Sequence, residues 1–152
     1  MSNHILIEKK DNILHIEFNR PESRNALTRD MFEQLLTTLE KCKEDHNLRA
    51  IFLSGKGEAF SAGGDVKDMA TREDNSSLEE KTNSLRRIMG VSELLYILPV
   101  PSISIINGAA AGAGFALALA CDMRIATENA KFVTAFSKIA FSGDFGGSFF
   151  FN

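Results

Sequence analysis

Apolar residues with the period of a strand alternate along this sequence with apolar residues at the spacing of a helix. The clearest strand covers residues 13–18, in which Leu14, Ile16 and Phe18 are apolar at every second position. Residues 4–8 are predicted to be its antiparallel hairpin partner. Strands and helices that alternate in this way predict an α/β architecture, because each sheet needs a helical layer to cover its apolar face.

Two longer helices are predicted from apolar stripes at three- and four-residue spacing. The first follows the N-cap residue Thr28 and ends near His46. Its stripe consists of Met31, Phe32, Leu35, Leu36, Leu39 and Cys42, and the second helix carries Leu78, Leu85, Ile88, Met89, Leu95 and Leu98. Shorter elements are predicted as strands at residues 50–53, 102–106 and 123–126 and as a compact apolar helix at residues 112–120. No linker or repeat interrupts this pattern, so residues 1–152 are predicted to form one domain.

The composition argues against several kinds of partner. The net charge is −3 without a long basic run, so neither nucleic acid nor an anionic membrane is expected as a partner. Residues 103–121 are nearly free of charge, but Asn107 and its small neighbours make them too weakly hydrophobic for a transmembrane helix. Cys42 and Cys121 fit no metal or redox spacing and are predicted to be buried free thiols. With no metal site and no signal segment at the start, a cytoplasmic protein is expected.

Two loop-to-helix junctions made of small residues are the candidates for chemistry. They lie at residues 61–66 and residues 107–114. A helix N-terminus has unpaired backbone N–H groups and a partial positive charge, and small residues let a ligand oxygen approach them. Two such junctions facing each other would form an oxyanion hole. Taken singly, such a junction is more often a packing device, and neither one matches a dinucleotide-binding fingerprint or a P-loop.

Short motifs flank the two junctions in a fixed order along the chain. They are Asn19-Arg20-Pro21, Arg24-Asn25-Ala26-Leu27, Phe60-Ser61-Ala62-Gly63-Gly64-Asp65, Pro99-Val100-Pro101, Asn107-Gly108 and Cys121-Asp122. In this order they resemble the crotonase (enoyl-CoA hydratase/isomerase) superfamily along essentially the whole chain. The resemblance implies a spiral of ββα units. It also implies a bent acyl-CoA thioester whose carbonyl oxygen meets two backbone N–H groups, with no cofactor beyond the CoA of the substrate.

Position by position, the resemblance assigns the two backbone donors to Gly64 and Ala113. It also places two segments beside the CoA moiety. Their residues are Arg24, Asn25, Ala26 and Leu27 in the first segment, and Ala62, Gly63, Asp65, Val66 and Lys67 in the second. Such donors would stabilise the negative charge that develops on the thioester oxygen when a neighbouring proton is removed, by about 3–4 kcal/mol each.

The acid and base side chains decide which reaction such a hole serves. The two glutamates of a hydratase in this superfamily correspond here to Ala116 and Phe136, and neither residue can move a proton. Asp144 is the remaining carboxylate in this region. The chain resembles most closely the isomerases of phenylacetate-pathway type, in which an aspartate at this position shuttles a proton, and residues 131–133 and 135–138 add to that likeness. The resemblance therefore implies an enoyl-CoA isomerase of fatty acid or related acyl-CoA metabolism.

Asp144 needs a raised pKa to act as a base near neutral pH, because the reference value is about 3.9. Its aromatic neighbours Phe136, Phe141 and Phe145 are expected to desolvate the carboxylate and raise that value. From the residues alone, an aspartate that caps a turn beside Gly143 and Gly146 is the favoured interpretation, and the resemblance is what favours catalysis.

Other functions keep the same hole. Asp144 could act as a nucleophile or orient water, as in a dehalogenase or thioester hydrolase, or the chain could bind CoA thioesters without turnover. Members of this superfamily are longer than 152 residues. The resemblance implies that C-terminal trimerisation helices follow the part of the fold present here, and that the full-length protein forms a homotrimer or a dimer of trimers. Without those helices, an exposed apolar edge is expected.

Overall fold

The computed structural model describes residues 3–71, 75–136 and 142–151. Its elements follow in this order: β1 Ile5–Lys10, β2 Ile13–Phe18, α1 Arg29–Cys42, β3 Ala50–Gly55, β4 Ala59–Ser61, α2 Val66–Thr71, α3 Leu78–Ile97, β5 Ser102–Ile106, β6 Ala109–Ala111, α4 Gly112–Ala120, β7 Met123–Ala126, β8 Lys131–Val133 and α5 Gly147–Phe150. The α/β architecture is confirmed. Within the described residues, no helix is long and apolar enough to cross a membrane.

Two sheets share the strands. The larger sheet has the order β1-β2-β3-β5-β7, and the smaller has the order β4-β6-β8. Among the described strands, only the β1–β2 pair is antiparallel, as expected for a hairpin, and every other pairing is parallel. Each later pair of strands sends its first member to the larger sheet and its second member to the smaller one. A helix follows the second strand, so the predicted ββα units are present.

The hairpin and the first helix form where the residues predict them. Asp11 and Asn12 make the turn with φ angles of 50° and 62°, a region that Asp and Asn tolerate better than most residues. The side chain of Thr28 accepts a hydrogen bond from the Met31 N–H and caps α1. The predicted end of α1 near His46 is wrong. The helix stops at Cys42, because the next N–H groups bond to carbonyls three residues back and tighten the last turn.

One core joins the larger sheet to the helices. The predicted stripe of α1 is buried as a whole, and it packs with Leu14, Ile16 and Phe18 of β2 and with Val91 and Leu95 of α3. Helix α4 is apolar on nearly every side, and its residues are buried almost throughout. Burial at this level contributes about 1.5–3 kcal/mol for each large apolar side chain. These contacts fix the position of the strands that lead into the two junctions.

Candidate active site

The two small-residue junctions start from neighbouring strands. β4 and β6 pair in parallel, with Ala59 opposite Ala109 and Ser61 opposite Ala110. The carboxyl ends of parallel neighbours lie at the same edge of a sheet, about 4.8 Å apart. The loop after β4 and the helix after β6 therefore begin side by side. A Cβ atom on Gly63 would lie 2.7 Å from the Ala111 carbonyl oxygen, so only glycine allows this approach.

Backbone hydrogen bonds orient the first junction. Leu27 pairs with Gly64 in a parallel bridge: the Leu27 N–H donates to the Gly63 carbonyl, and the Asp65 N–H donates to the Leu27 carbonyl. In such a bridge the flanking residues supply the bonds, so the Gly64 N–H points away from Leu27. Within the described residues it has no acceptor. This donor is therefore available to a ligand.

Ser61 locks the same loop from inside. Its buried hydroxyl donates to the Asn25 carbonyl at 2.8 Å and accepts a hydrogen bond from the Gly63 N–H at 3.1 Å. Gly114 of α4 packs directly on it, because a Cβ atom there would lie 2.6 Å from the Ser61 Cβ. The loop after β4 is thereby tied both to residues 24–27 and to the start of α4.

The second junction ends in a free helix N-terminus. Gly112 has a φ angle of +51° and opens α4, and the preceding Ala111 provides no side-chain cap. The Ala113 N–H lies in the first turn of the helix, where an amide has no carbonyl four residues earlier within the helix. The partial positive charge of the helix end adds to its capacity to bind an anionic oxygen.

Both junctions open into one cavity of about 430 Å³. Gly64, Ala113 and Asp144, the three predicted catalytic residues, all lie in its wall. The remaining lining residues are Leu27, Arg29, Phe32, Ala62, Gly63, Val66, Asp68, Met69, Lys81, Ser84, Leu85, Ile88, Gly112, Ala135, Phe136 and Phe145. This volume falls in the range of about 300–1,000 Å³ that is typical of small-molecule sites.

The Asp144 carboxyl group lines this cavity and is partly shielded from water. Burial raises the pKa of its carboxyl above the ordinary value of 3.8, and the residue's own backbone offsets this only in part. Its Oδ1 atom is buried and has no hydrogen-bond partner within the described residues. Phe136 and Phe145 line the same cavity, as the sequence predicts, whereas Phe141 lies outside the described residues, as do Ser137 and Lys138. A carboxyl group in this setting binds and releases a proton closer to neutral pH than an ordinary aspartate.

The residues predicted to lie beside CoA fall into two groups. Leu27, Ala62, Gly63 and Val66 line the cavity, whereas Arg24, Asn25, Ala26, Asp65 and Lys67 do not. The side chains of two members of the second group have structural roles.

The Asn25 side chain is buried, and its amide donates to the carbonyls of Lys56 and Ala59. The Asp65 carboxylate pairs with Arg20 at 2.8 Å and caps α2 through the N–H groups of Lys67 and Asp68. These contacts leave the backbone of both segments next to the site while their polar side chains hold the loops in place.

Sequence reasoning missed one wall of the cavity. Lys81, Ser84, Leu85 and Ile88 form a face of α3 that lines it, and Arg29 joins them from α1. Lys81 is exposed and also borders the cavity. The spacing of three, one and three residues between these positions is the signal that marks them as one helix face.

The two positions that correspond to the hydratase glutamates differ in their surroundings. Ala116 is 1% exposed inside α4, and a Cβ atom on Gly147 would lie 3.5 Å from its methyl group. Phe136 faces the cavity. Neither position offers a group that can transfer a proton.

Cysteine and metal chemistry play no visible part in the described residues. Cys42 and Cys121 are buried free thiols, as predicted, and burial raises the pKa of Cys121 to about 12. In the same part of the chain, no group of three or more His, Cys, Asp or Glu side chains could hold a metal ion.

Comparison with known proteins gives the family. The enoyl-CoA hydratase/isomerase profile matches residues 8–152. A putative enoyl-CoA hydratase/isomerase of Bacillus subtilis, YngF, is 41% identical over 80% of this chain and 46% of its own length. The 1,2-epoxyphenylacetyl-CoA isomerase of Escherichia coli is 35% identical over 97% of this chain and 56% of its own length. The crystal structure of a putative enoyl-CoA hydratase from Streptomyces coelicolor superposes with a TM-score of 0.90 at 30% identity, covering 97% of this chain and 54% of that one.

The chain therefore belongs to the enoyl-CoA hydratase/isomerase family and has the crotonase fold. It spans about half the length of the curated relatives it matches. Names within the family differ in chemistry, since other relatives are called a 4-chlorobenzoyl coenzyme A dehalogenase and a probable enoyl-CoA hydratase.

Proposed function

We propose that this protein is an acyl-CoA enzyme of the double-bond isomerase type, in which Gly64 and Ala113 stabilise a thioester enolate and Asp144 moves the proton. The observation that carries the proposal is the placement of a desolvated carboxyl group in the same cavity as two free backbone donors. The reaction needs no cofactor beyond the CoA of its substrate.

The two N–H groups would bind the thioester carbonyl oxygen. When the proton next to that carbonyl leaves, negative charge moves onto the oxygen, and donors held by the fold need no reorganisation to receive it. The Gly64 amide is held by the Leu27 bridge and the Ala113 amide by the first turn of α4. Each donor of this kind contributes about 3–4 kcal/mol to the lowering of the barrier.

Asp144 would act first as base and then as acid. For a 3-enoyl-CoA, its carboxylate takes a proton from C2, the C2–H bond breaks, and the electron pair spreads over a dienolate that ends on the thioester oxygen. The resulting carboxylic acid returns the same proton to C4, so that the double bond moves from C3–C4 to C2–C3. The balance is complete without water or an oxidant. A raised pKa favours the return step, because the protonated carboxyl group is then a competent intermediate near neutral pH.

Simple hydration is the less favoured chemistry. It needs side chains that activate a water molecule and protonate the second carbon, and the positions that resemble the hydratase glutamates are Ala116 and Phe136.

A second candidate keeps the cavity and makes Asp144 a nucleophile. The unpartnered Oδ1 atom of Asp144 favours it, and so does the 4-chlorobenzoyl coenzyme A dehalogenase name of one relative. The protein would be incubated with a haloaryl-CoA, and the reaction would then be quenched. A covalent adduct on the peptide that contains Asp144, detected by mass spectrometry, would favour nucleophilic attack over proton transfer. Acyl-CoA binding with neither turnover nor adduct would favour a role in binding alone.

We also propose that the protein is cytoplasmic and that its full-length form assembles as a homotrimer or a dimer of trimers. Exposed apolar side chains on β7 and β8 support an assembly, since Met123, Ile125 and Phe132 are each about half exposed. Light scattering of the full-length protein after size-exclusion chromatography tests the assembly, and a monomer at micromolar concentration would reject it.

Substitution of Asp144 by Asn tests the leading proposal. The variant keeps the shape of the side chain but cannot take a proton, so isomerisation of a 3-enoyl-CoA should fall by a factor of about 10²–10⁴. Binding of a saturated acyl-CoA should remain. Asp45→Asn is the matched control, because Asp45 pairs with Lys9 on the surface and does not line the cavity. Undiminished turnover by Asp144→Asn would reject the assignment.

A further inference from the structure

The cavity has a charged side that the proposed proton transfer does not use. Apart from Asp144, the charged lining residues in the described part of the chain are Arg29, Asp68 and Lys81. Two of these three are cations, so the described lining on this side carries one more positive than negative charge. An apolar acyl chain gains nothing from such a surface, because desolvating a cation against hydrocarbon costs free energy.

On both helices that form this side, the lining residues change from polar to apolar along the helix. On α3 the face that lines the cavity runs from Lys81 through Ser84 and Leu85 to Ile88, a rise of about 10 Å at 1.5 Å per residue. On α1 the lining passes within one turn from Arg29 to Phe32. The polar residues of the two helices therefore stand at one end of the wall, and the apolar residues follow them.

Within the described residues, Arg29 has no anionic partner. It is half-buried, and its guanidinium donates a hydrogen bond to the Ser84 hydroxyl across the two helices. Neither Arg29 nor Lys81 has an ion pair within residues 3–71, 75–136 and 142–151. Both also lie in the first turns of their helices, where the dipole disfavours a cation by about 0.3–1 kcal/mol. Helix stability thus gives no reason for these two cations.

The charged side is separate from the reacting carboxyl group. Burial is the main influence on the pKa of Asp144, and within the described residues no cation contributes to it. A ligand can therefore place its thioester near Gly64 and Asp144 while another group of the same acyl chain reaches Arg29. The phosphates of CoA are a less suitable match, because the whole pantetheine arm separates them from the thioester.

We propose that the cavity selects acyl groups that carry a carboxylate at the end remote from the thioester, with Arg29 and Ser84 as its binding pair and Lys81 as a second, more exposed cation. A guanidinium suits this role because it presents a planar set of donors to a carboxylate. The inference rests on the proposed function, in that the cavity receives the acyl group.

Two 3-enoyl-CoA substrates of equal length test it, one ending in a carboxylate and the other in a carboxamide. The wild-type protein should show a kcat/KM at least about tenfold higher for the carboxylate, as expected for one charge pair at a partly buried site. Arg29→Gln should bring that ratio close to one, and Lys81→Gln should lower it less. Arg87→Gln is the matched control, because Arg87 pairs with Glu33 outside the cavity lining and its removal should leave the ratio unchanged.

Binding of the corresponding saturated acyl-CoA pair, measured by calorimetry, separates this inference from the proposed function. If neither substrate turns over but the carboxylate still binds more tightly and Arg29→Gln removes the difference, the isomerase proposal fails and the anion site stands. If Arg29→Gln weakens free CoA as much as the carboxylated acyl-CoA, the arginine meets a CoA phosphate and the inference is wrong. Equal binding of carboxylate and carboxamide by the wild-type protein would also overturn it.

Discussion

Phe145 stacks on Phe32 with ring centroids 4.5 Å apart and an angle of 19° between the ring planes. This contact joins the segment that carries Asp144 to helix α1, and Phe145 is 3% exposed although its φ angle is +50°. A non-glycine residue keeps a left-handed backbone at a cost, so the buried ring is the reason for the conformation. The proposed base is therefore held by this aromatic pair and by the Gly147 N–H, which donates to the Asp144 carbonyl at 3.1 Å, whereas its Oδ1 atom has no hydrogen-bond partner within the described residues.

Replacement of Phe145 by Ala should destabilise the protein and loosen Asp144 together. Loss of a buried phenylalanine costs about 3–5 kcal/mol of unfolding free energy, because a cavity remains where the ring stood. Denaturant unfolding followed by circular dichroism measures this. Phe151→Ala is the control, since Phe151 is 66% exposed and its removal should cost less than about 1 kcal/mol. Equal effects of the two substitutions would show that the Phe32–Phe145 pair contributes no more to the free energy of unfolding than an exposed phenylalanine does.

The raised pKa of Asp144 predicts opposite pH effects on stability and on rate. Between its ordinary value of 3.8 and its raised value, the unfolded chain releases the proton first, so the folded state binds more protons and the free energy of unfolding falls as pH rises. The isomerisation rate should instead rise through the raised pKa, because the base must be ionised. The free energy of unfolding of Asp144→Asn should not fall in this way. Its value for the variant minus that for the wild type should therefore rise with pH across that window. A constant difference would contradict the raised pKa.

Asp65 should show the reverse dependence. The Arg20 guanidinium beside it lowers the pKa of this carboxyl group, so its contribution to stability is present above the ordinary value of 3.8 and is lost as pH falls through the lowered value. Asp65→Asn removes the ion pair and weakens the cap of α2, at a cost of about 1.5–3 kcal/mol near neutral pH. Thermal melts across pH would test this. The melting temperatures of variant and wild type should converge at low pH, and a gap that persists there would exclude the ion pair as its cause.

Gly63→Ala should separate the two junctions. The φ angle of +90° is unfavourable for alanine, and the added Cβ would lie 2.7 Å from the Ala111 carbonyl oxygen, which is backbone and cannot rotate away. We expect a loss of about 2 kcal/mol or more in stability, together with loss of acyl-CoA binding. Gly90→Ala is the matched control: its Cβ would meet only the Leu36 side chain at 3.4 Å, and alanine should raise helix stability by up to about 1 kcal/mol. If both variants bind acyl-CoA normally, the close approach of the loops is not needed for the site.

Ala113→Pro removes one proposed donor while the helix can persist. Proline is tolerated in the first helical turn, where its missing N–H has no partner in the helix. Turnover should fall by a factor of about 10²–10³, the usual effect of losing one oxyanion donor. Ala113→Gly keeps the N–H and should retain most of the activity. A folded proline variant with the turnover of the glycine variant would show that this amide does not bind the thioester oxygen.

Much of the larger sheet and of the helices that cover it could be predicted, because these elements are long enough for the period of their apolar residues to be visible. The alternation of Leu14, Ile16 and Phe18 is visible in β2, whereas β4, β6 and β8 each have three residues and show no pattern. The whole smaller sheet was therefore missed, although it is the sheet that aligns the junctions.

The same limit applies to the site. Two glycine-rich segments could be paired only through the resemblance to a family, because their proximity depends on strands that carry no signal of their own. The polar wall formed by Arg29 and Lys81 was missed for a different reason. A charged residue in the first turn of an amphipathic helix has the same local pattern whether it faces solvent or borders a cavity, and only the packing of α1 against α3 distinguishes the two.

The pairing of β4 with β6 also has a consequence for how such a protein can change over time. Its two candidate donors are main-chain groups whose spacing follows from that of neighbouring strands, so that spacing does not depend on the side chains at Ala116, Phe136 or Asp144. Under the proposed mechanism, substitutions at these three positions would change the reaction without moving the two donors. A fixed pair of backbone donors combined with exchangeable side chains would account for relatives that are named isomerase, hydratase and dehalogenase.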